Sequence, residues 1–190
     1  MKTLTRTTKE TNITAKFNLY GNSKSSIDTG ISFFNHMLDS FVRHSLIDLE
    51  LQCSGDIDVD YHHSVEDCGI VIGELLHQSL YPANGIERFG YASVVMDEAC
   101  VECSIDVSNR AFLVFEAPLS GKIGTFDAEL VEEFFRALVS NANLSVHIIY
   151  KRGKNLHHIS EAIFKSFAVA FRNAVKQNDR ITLPSTKGML

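Results

Sequence analysis

Two short stretches carry most of the chemistry in this 190-residue chain: His62-His63-Ser64-Val65-Glu66 and His157-His158-Ile159-Ser160-Glu161. Both read His-His-x-x-Glu, and together they hold four of the eight histidines. Random order would give about 0.02 such motifs per chain. Imidazole and carboxylate together suit Mn, Fe, Ni or Zn, and the lack of thiolates argues against a structural zinc knuckle. Residues three or four apart share a helix face, so one His and the Glu of each motif can reach one ion. Adjacent residues of extended chain point opposite ways, so His62 and His63 are expected to serve different ions, as are His157 and His158. Three or four ligands per ion leave open positions, as a catalytic site needs. The bland alternative, two solvated His-rich helix starts, gives the duplicated imidazoles and carboxylates no packing use.

The elements that must hold these motifs repeat. Ile13, Ala15, Phe17 and Leu19 alternate with polar residues as in a half-buried strand. Phe33, Phe34, Met37, Leu38, Phe41 and Val42 have helical spacing. Ile47-Leu49-Leu51-Cys53 alternates again, with Ile57 and Val59 continuing it past Gly55. Ser64 and Asp67 resemble a capping pair before a helix through Leu80. The second half follows the same order. Strands are expected at Tyr91–Met96, Val101–Asp106, Phe112–Phe115 and Ser145–Tyr150. One helix is expected around Leu130–Leu138, and Asn155 is expected to cap a last helix through Phe171.

The two motifs lie 157 − 62 = 95 residues apart, and His36 aligns with Glu133 at 133 − 36 = 97. The reading is an α+β fold of two similar halves, about 1–90 and 91–190. Each half is a small mixed β-sheet with two helices, and the halves pack as one unit, a single domain over 1–190. His36 and Glu133 extend the candidate ligand set. His147 reads as a structural histidine, or else as a ligand or a donor behind one. His44 is either a helix C-terminal residue or a substrate contact. Cys100 and Cys103, two of four cysteines, fall on opposite faces of a strand and read as packing residues rather than a redox pair.

Composition narrows the class. The chain is 45% hydrophobic with a net charge of −5 and no basic run, which disfavours nucleic acid as a partner. No apolar stretch suits a membrane span or a secretory leader, and four cysteines do not make a disulfide framework. A cytoplasmic setting is expected.

Several motifs together resemble the imidazoleglycerol-phosphate dehydratase family of histidine biosynthesis. They are Arg6-x-Thr8-x-Glu10-Thr11, Phe33–Leu38, Asp60–Gly69, Met96–Ala99, Asn155–Lys165 and Pro184–Gly188. The resemblance covers essentially the whole chain. It implies two Mn ions per active site and a large homo-oligomer built from trimers. It implies metal ligands at His36, His62, His63, Glu66, His157, His158 and Glu161. Glu133 stands where the family often has His, and offers Mn a hard oxygen ligand.

Glu10, Glu66 and Glu161 become the candidate catalytic carboxylates, Glu10 by its match to the family's N-terminal Glu. Arg88, Arg110, Ser185 and Lys187 become candidate contacts to a phosphorylated imidazole substrate, together with Glu10 and His44. Ser108-Asn109-Arg110-Ala111 departs from the usual Ser-Gly-Arg-Pro but keeps the Arg. The implied reaction removes water from imidazole glycerol phosphate, giving imidazole acetol phosphate by way of a metal-held imidazolate. Two rivals stand beside it: another dimetal hydrolase, and a non-catalytic metal-binding assembly protein.

Overall fold

The computed structural model describes residues 1–186 and 188; Lys187 lies outside the described residues. In the first half, β1 (Lys2–Thr7), β2 (Thr11–Asn18), β3 (Ser25–Asp28) and α1 (Ser32–Ser45) precede β4 (Asp48–Gly55) and α2 (His62–Leu80). In the second, β5 (Phe89–Met96), β6 (Ala99–Asp106) and β7 (Phe112–Glu116) come first. A small hairpin, β8 (Lys122–Ile123) and β9 (Phe126–Asp127), precedes α3 (Leu130–Ala142), β10 (Ser145–Arg152) and α4 (Leu156–Ala174).

The repeat expected from the motifs is complete at the level of topology. The two sheets run β1-β2-β4-β3 and β5-β6-β10-β7. In each, two antiparallel pairings are followed by one parallel edge pairing, β3 with β4 and β7 with β10. Helices α1 and α3 end alike, with Leu46 and Asn143 in the left-handed region at φ 63° and 52°, each returning its N–H to the preceding turn. Such caps direct the chain back into β4 and β10.

The halves do not pack as two separate lobes. Helix α1 lies on β3 and crosses to α4, while α2 lies on β2 and crosses to α3. The helices therefore form a middle layer between the sheets. Their shared core is aromatic: Phe41 meets Phe167 at 5.7 Å, Phe34 meets Phe134 at 5.4 Å, and Phe134 stacks on Phe164 at 5.3 Å between ring centres. Gly69 and Gly73 form a smooth stripe on α2. A Cβ at Gly73 would sit 2.6 Å from the Leu138 carbonyl oxygen, and one at Gly69 would sit 2.8 Å from that of Phe134.

Two sequence expectations change, and two strands are added to the first sheet. Ile57 and Val59 lie in a turn rather than a strand, closed by Val59 N–H on the Asp56 carbonyl. Ser64 and Asp67 do not cap α2. The helix starts three residues earlier than a Ser64 cap would set it, and Asp60 takes the His62 N–H at 2.7 Å. Strands β1 and β3 went unread because they are edge strands with few buried side chains, so neither shows the apolar alternation that marks β2. Asn155 caps α4 as expected, accepting from the N–H groups of His157 and His158.

Replacing Gly73 by Ala should force α2 and α3 apart and cost about 1–3 kcal/mol, the usual penalty of overpacking. Thermal unfolding of the parent and Gly73→Ala would show it as a lower midpoint; an unchanged midpoint would mean the two helices separate freely.

Candidate active site

The His-His-x-x-Glu motifs open α2 and α4, so their histidines are helical rather than extended. Adjacent helical residues diverge by about 100°. The rings accordingly stand apart: His62 and His63 lie 6.1 Å between centres at 87°, and His157 and His158 lie 6.2 Å at 78°. The rings of each pair thus diverge because the backbone is helical, not because it is extended.

One trio forms across the halves. His36 on α1 meets His157 and Glu161 on α4, and their ligand atoms all lie within 4.8 Å of one another. Glu161 Oε2 is 3.4 Å from His157 Nε2 and 3.9 Å from His36 Nε2. Among the described residues this is the one trio of His, Cys, Asp or Glu so closely gathered. His36 is placed by its neighbours: Asn35 Oδ1 accepts from both the N–H and the hydroxyl of Thr29, and Phe33 packs edge-on to His157.

Glu161 is only 7% exposed. Burial alone would push its carboxyl up. Lys165, one helical turn on, bonds Oε1 at 2.7 Å and outweighs that, with His36 and His157 adding to the effect. The group is therefore held below the ordinary carboxylate range. Two imidazoles and one hard, anionic oxygen, with no thiolate, fit a divalent ion such as Mn.

The other motif is more open. His62 Nε2 lies 3.9 Å from Glu66 Oε2, an i,i+4 pair. Glu133 sits on α3, which packs along α2, but its carboxylate faces Arg136 at 3.8 Å and does not join His62 and Glu66 in a tight trio. His63 and His158 turn to other partners. His63 Nδ1 is 3.0 Å from Asp56 and 3.8 Å from Glu10. His158 Nδ1 is 2.7 Å from Glu98, with Asp97 3.7 Å from its Nε2. The bond to Asp56 raises the His63 pKa, and the bond to Glu98 raises that of His158. Glu98 is pulled down to about 2, first by the Asn155 N–H, then by His158 and the Lys154 N–H.

Glu10 is not at a loose end. It ends the turn between β1 and β2, where Thr8 Oγ1 accepts from the N–H groups of Glu10 and Thr11. Asp67, buried on α2, accepts from the Thr11 hydroxyl and from Arg6 Nε, and so fixes this hairpin to the helix that carries Glu66.

Arg88, Arg110 and the tail meet at a second corner. Arg88 grips Asp106 with Nε at 2.7 Å and Nη2 at 3.2 Å, and its Nη1 reaches the Pro184 carbonyl. Arg110, mostly exposed, has Nη2 3.9 Å from the same Asp106, beside the tail that continues into Ser185. His44 lies in the last turn of α1, about 12 Å along the helix from His36. Burial lowers its pKa, and the cations Lys165 and Arg172 lower it further. His147 is exposed on the outer face of its sheet beside Phe112, so it is neither a core histidine nor near the motifs. Cys103 is buried and Cys100 is on the other face of β6, as expected.

Against known proteins, the model of the imidazoleglycerol-phosphate dehydratase family matches residues 29–171, about three quarters of the chain. The chain belongs to the imidazoleglycerol-phosphate dehydratase family. It is 65% identical over 190 residues to the imidazoleglycerol-phosphate dehydratase of Wolinella succinogenes, covering all of both chains. It is 64% identical to that of Helicobacter hepaticus, covering 98% of this chain and 95% of the relative. The crystal structure of the Staphylococcus aureus dehydratase superposes with a TM-score of 0.83 at 42% identity, covering 94% of this chain and all of that one. That of the Pyrococcus furiosus protein gives 0.85 at 35% identity, covering 98% and 100%. The chain is thus a hydro-lyase of histidine biosynthesis, and none of its described helices is long and apolar enough to cross a membrane.

Four residues not read from the sequence as parts of the site emerge here: Lys165, Asp56, Asp67 and Asp106. Lys165 was legible as an i,i+4 partner of Glu161. The others act across long sequence gaps.

In metal-free protein, Lys165→Met should take the hydrogen-bond partner from the buried Glu161 anion and cost about 1–3 kcal/mol at neutral pH. Glu161 has a depressed folded pKa, so the pair stabilises above the unfolded value near 4.5 and its contribution fades as pH falls through the folded value. Melting curves of parent and variant should therefore differ at pH 7, and the gap should shrink as pH falls progressively below 4.5. A gap that stays constant would remove Glu161 as the partner.

Proposed function

We propose that the chain dehydrates D-erythro-imidazole glycerol phosphate to imidazole acetol phosphate with two Mn ions per active site, in a large homo-oligomer built from trimers. The observation that carries this reading is the His36–His157–Glu161 trio at one end of α4, with a cationic corner at the other. When bound, the ions would supply Lewis-acid charge to the substrate's imidazole, which favours the electron release that expels a hydroxyl.

This chain's own residues do the rest. His36, His157 and Glu161 form one ligand set, with Lys165 keeping Glu161 anionic. His62 and Glu66 begin the second set, with His63, His158 and Glu133 as its further candidates. Glu10, held over His63 by its tied hairpin, would take the proton from the carbon neighbouring the one that loses hydroxide. The enol so formed relaxes to the ketone. Arg88, Arg110, Ser185 and Lys187 would bind the phosphate.

The two corners support an oligomer. The Arg88 N–H bonds the Ala174 carbonyl at the far end of α4, roughly 25 Å from His157 at 1.5 Å per residue. A ring, three carbons and a phosphate span only about 8–10 Å. The two corners of one chain are too far apart to hold one substrate, which supports a second copy bringing its cationic corner to the histidines.

Turnover of imidazole glycerol phosphate is the direct test. It should vanish in chelator-stripped protein and return when Mn is restored; assembled, Mn-loaded protein without turnover would overturn the reading. Lys187→Ala should raise KM about 10–100-fold, the loss expected for one charged hydrogen bond, with kcat less affected. An unchanged KM would place the phosphate elsewhere.

A further inference from the structure

We infer that Glu98 and Asp56 are positioning residues, each holding the Nδ1 side of the second histidine of a motif so that His158 and His63 offer Nε2 to a metal ion. This rests on the metal reading above and extends it to residues that touch neither ion nor substrate.

An imidazole has two nitrogens, and only an unprotonated one can bind metal. A carboxylate that accepts from Nδ1–H fixes the tautomer, aims the ring and leaves Nε2 as the ligand atom. Both second histidines have this arrangement, at 2.7 Å for His158 with Glu98 and 3.0 Å for His63 with Asp56. Glu98 is itself immobilised. Its Oε1 accepts from the N–H groups of Lys154 at 3.0 Å and Asn155 at 2.8 Å, and Asn155 in turn caps the two histidines. Rotating Glu98 away from His158 would break those two bonds as well. Asp56 is fixed through its backbone, whose N–H bonds the Glu10 carbonyl at 3.1 Å. Its Oδ1 is buried with no hydrogen-bond partner among the described residues, while its Oδ2 meets His63.

The two carboxylates are not repeat mates. Glu98 stands in the β5–β6 turn, whose counterpart is the β1–β2 turn that bears Glu10. Asp56 follows β4, in a place whose counterpart follows β10. The halves thus reach the same arrangement by different routes, which duplication alone does not produce. The difference also has a use: because Asp56 holds His63, Glu10, the topological equivalent of Glu98, is released for proton transfer.

The test is Mn titration by calorimetry into stripped, assembled protein, comparing the parent with Glu98→Gln and Asp56→Asn. Each variant should weaken one of two binding steps about 10–100-fold and leave the other within about twofold, as removal of a partner behind a metal ligand does elsewhere. The metal-free melting point should stay at the parent value, and kcat should recover at saturating Mn. Two unchanged steps, or both weakened together with a lower melting point, would overturn the assignment. Should Glu98→Gln fail to assemble, Glu98→Asp keeps the charge but shortens the reach by about 1.5 Å and is read in the same way. A parent that takes up no Mn would overturn the metal reading and this one with it. A parent that binds two ions, with variants that bind as tightly, would overturn this one alone.

Discussion

Helices exchanged between the two halves hold this molecule together: α1 packs on α4, and α2 on α3, across the repeat. Had each half closed on itself, His36 would face the motif of its own half. Instead it faces His157 and Glu161 of the other, and a three-ligand cluster exists only because the halves interpenetrate. The aromatic core and the glycine stripe on α2 serve that crossing, since they let the helices approach to backbone contact. The site therefore depends on the packing of the two halves against each other.

The crossing also brings a buried carboxylate into the core, and its electrostatics follow. A charge so placed is tolerable only when paired. Lys165 supplies the pairing on one oxygen and leaves the other turned to the two imidazoles. The same economy recurs at the second histidines, whose carboxylate partners are tied to loop backbone rather than left to solvent. Repetition gives the frame, but the two ends of the frame are finished differently.

Much of this was legible in the residues. Strong periodicity located all four helices and the buried strands, and the duplicated motif exposed both the repeat and the histidines that gather with Glu161. What escaped had weak local signals. β1 and β3 are edge strands with little to bury. Ile57 and Val59 extended an apolar alternation into what is a turn, because side-chain pattern alone does not mark where hydrogen-bond pairing stops. Asp56 reaches His63 through an irregular turn, and Arg88 reaches Asp106 only through the register of a hairpin, which no linear pattern shows. Glu133 matched His36 by alignment, yet its side chain turns to Arg136, so equivalence in sequence did not become equivalence in geometry.

The separation of the two corners along α4 has a genetic face. A chain spoiled only at His157 still carries a sound cationic corner, and a chain spoiled only at Arg110 still carries sound histidines. Where a site draws one corner from each of two copies, mixed assemblies of two such dead chains rebuild whole sites at some of their contacts. Two null alleles would then complement one another, with a yield set by chance pairing. Poisoning by a single defective copy would be partial for the same reason.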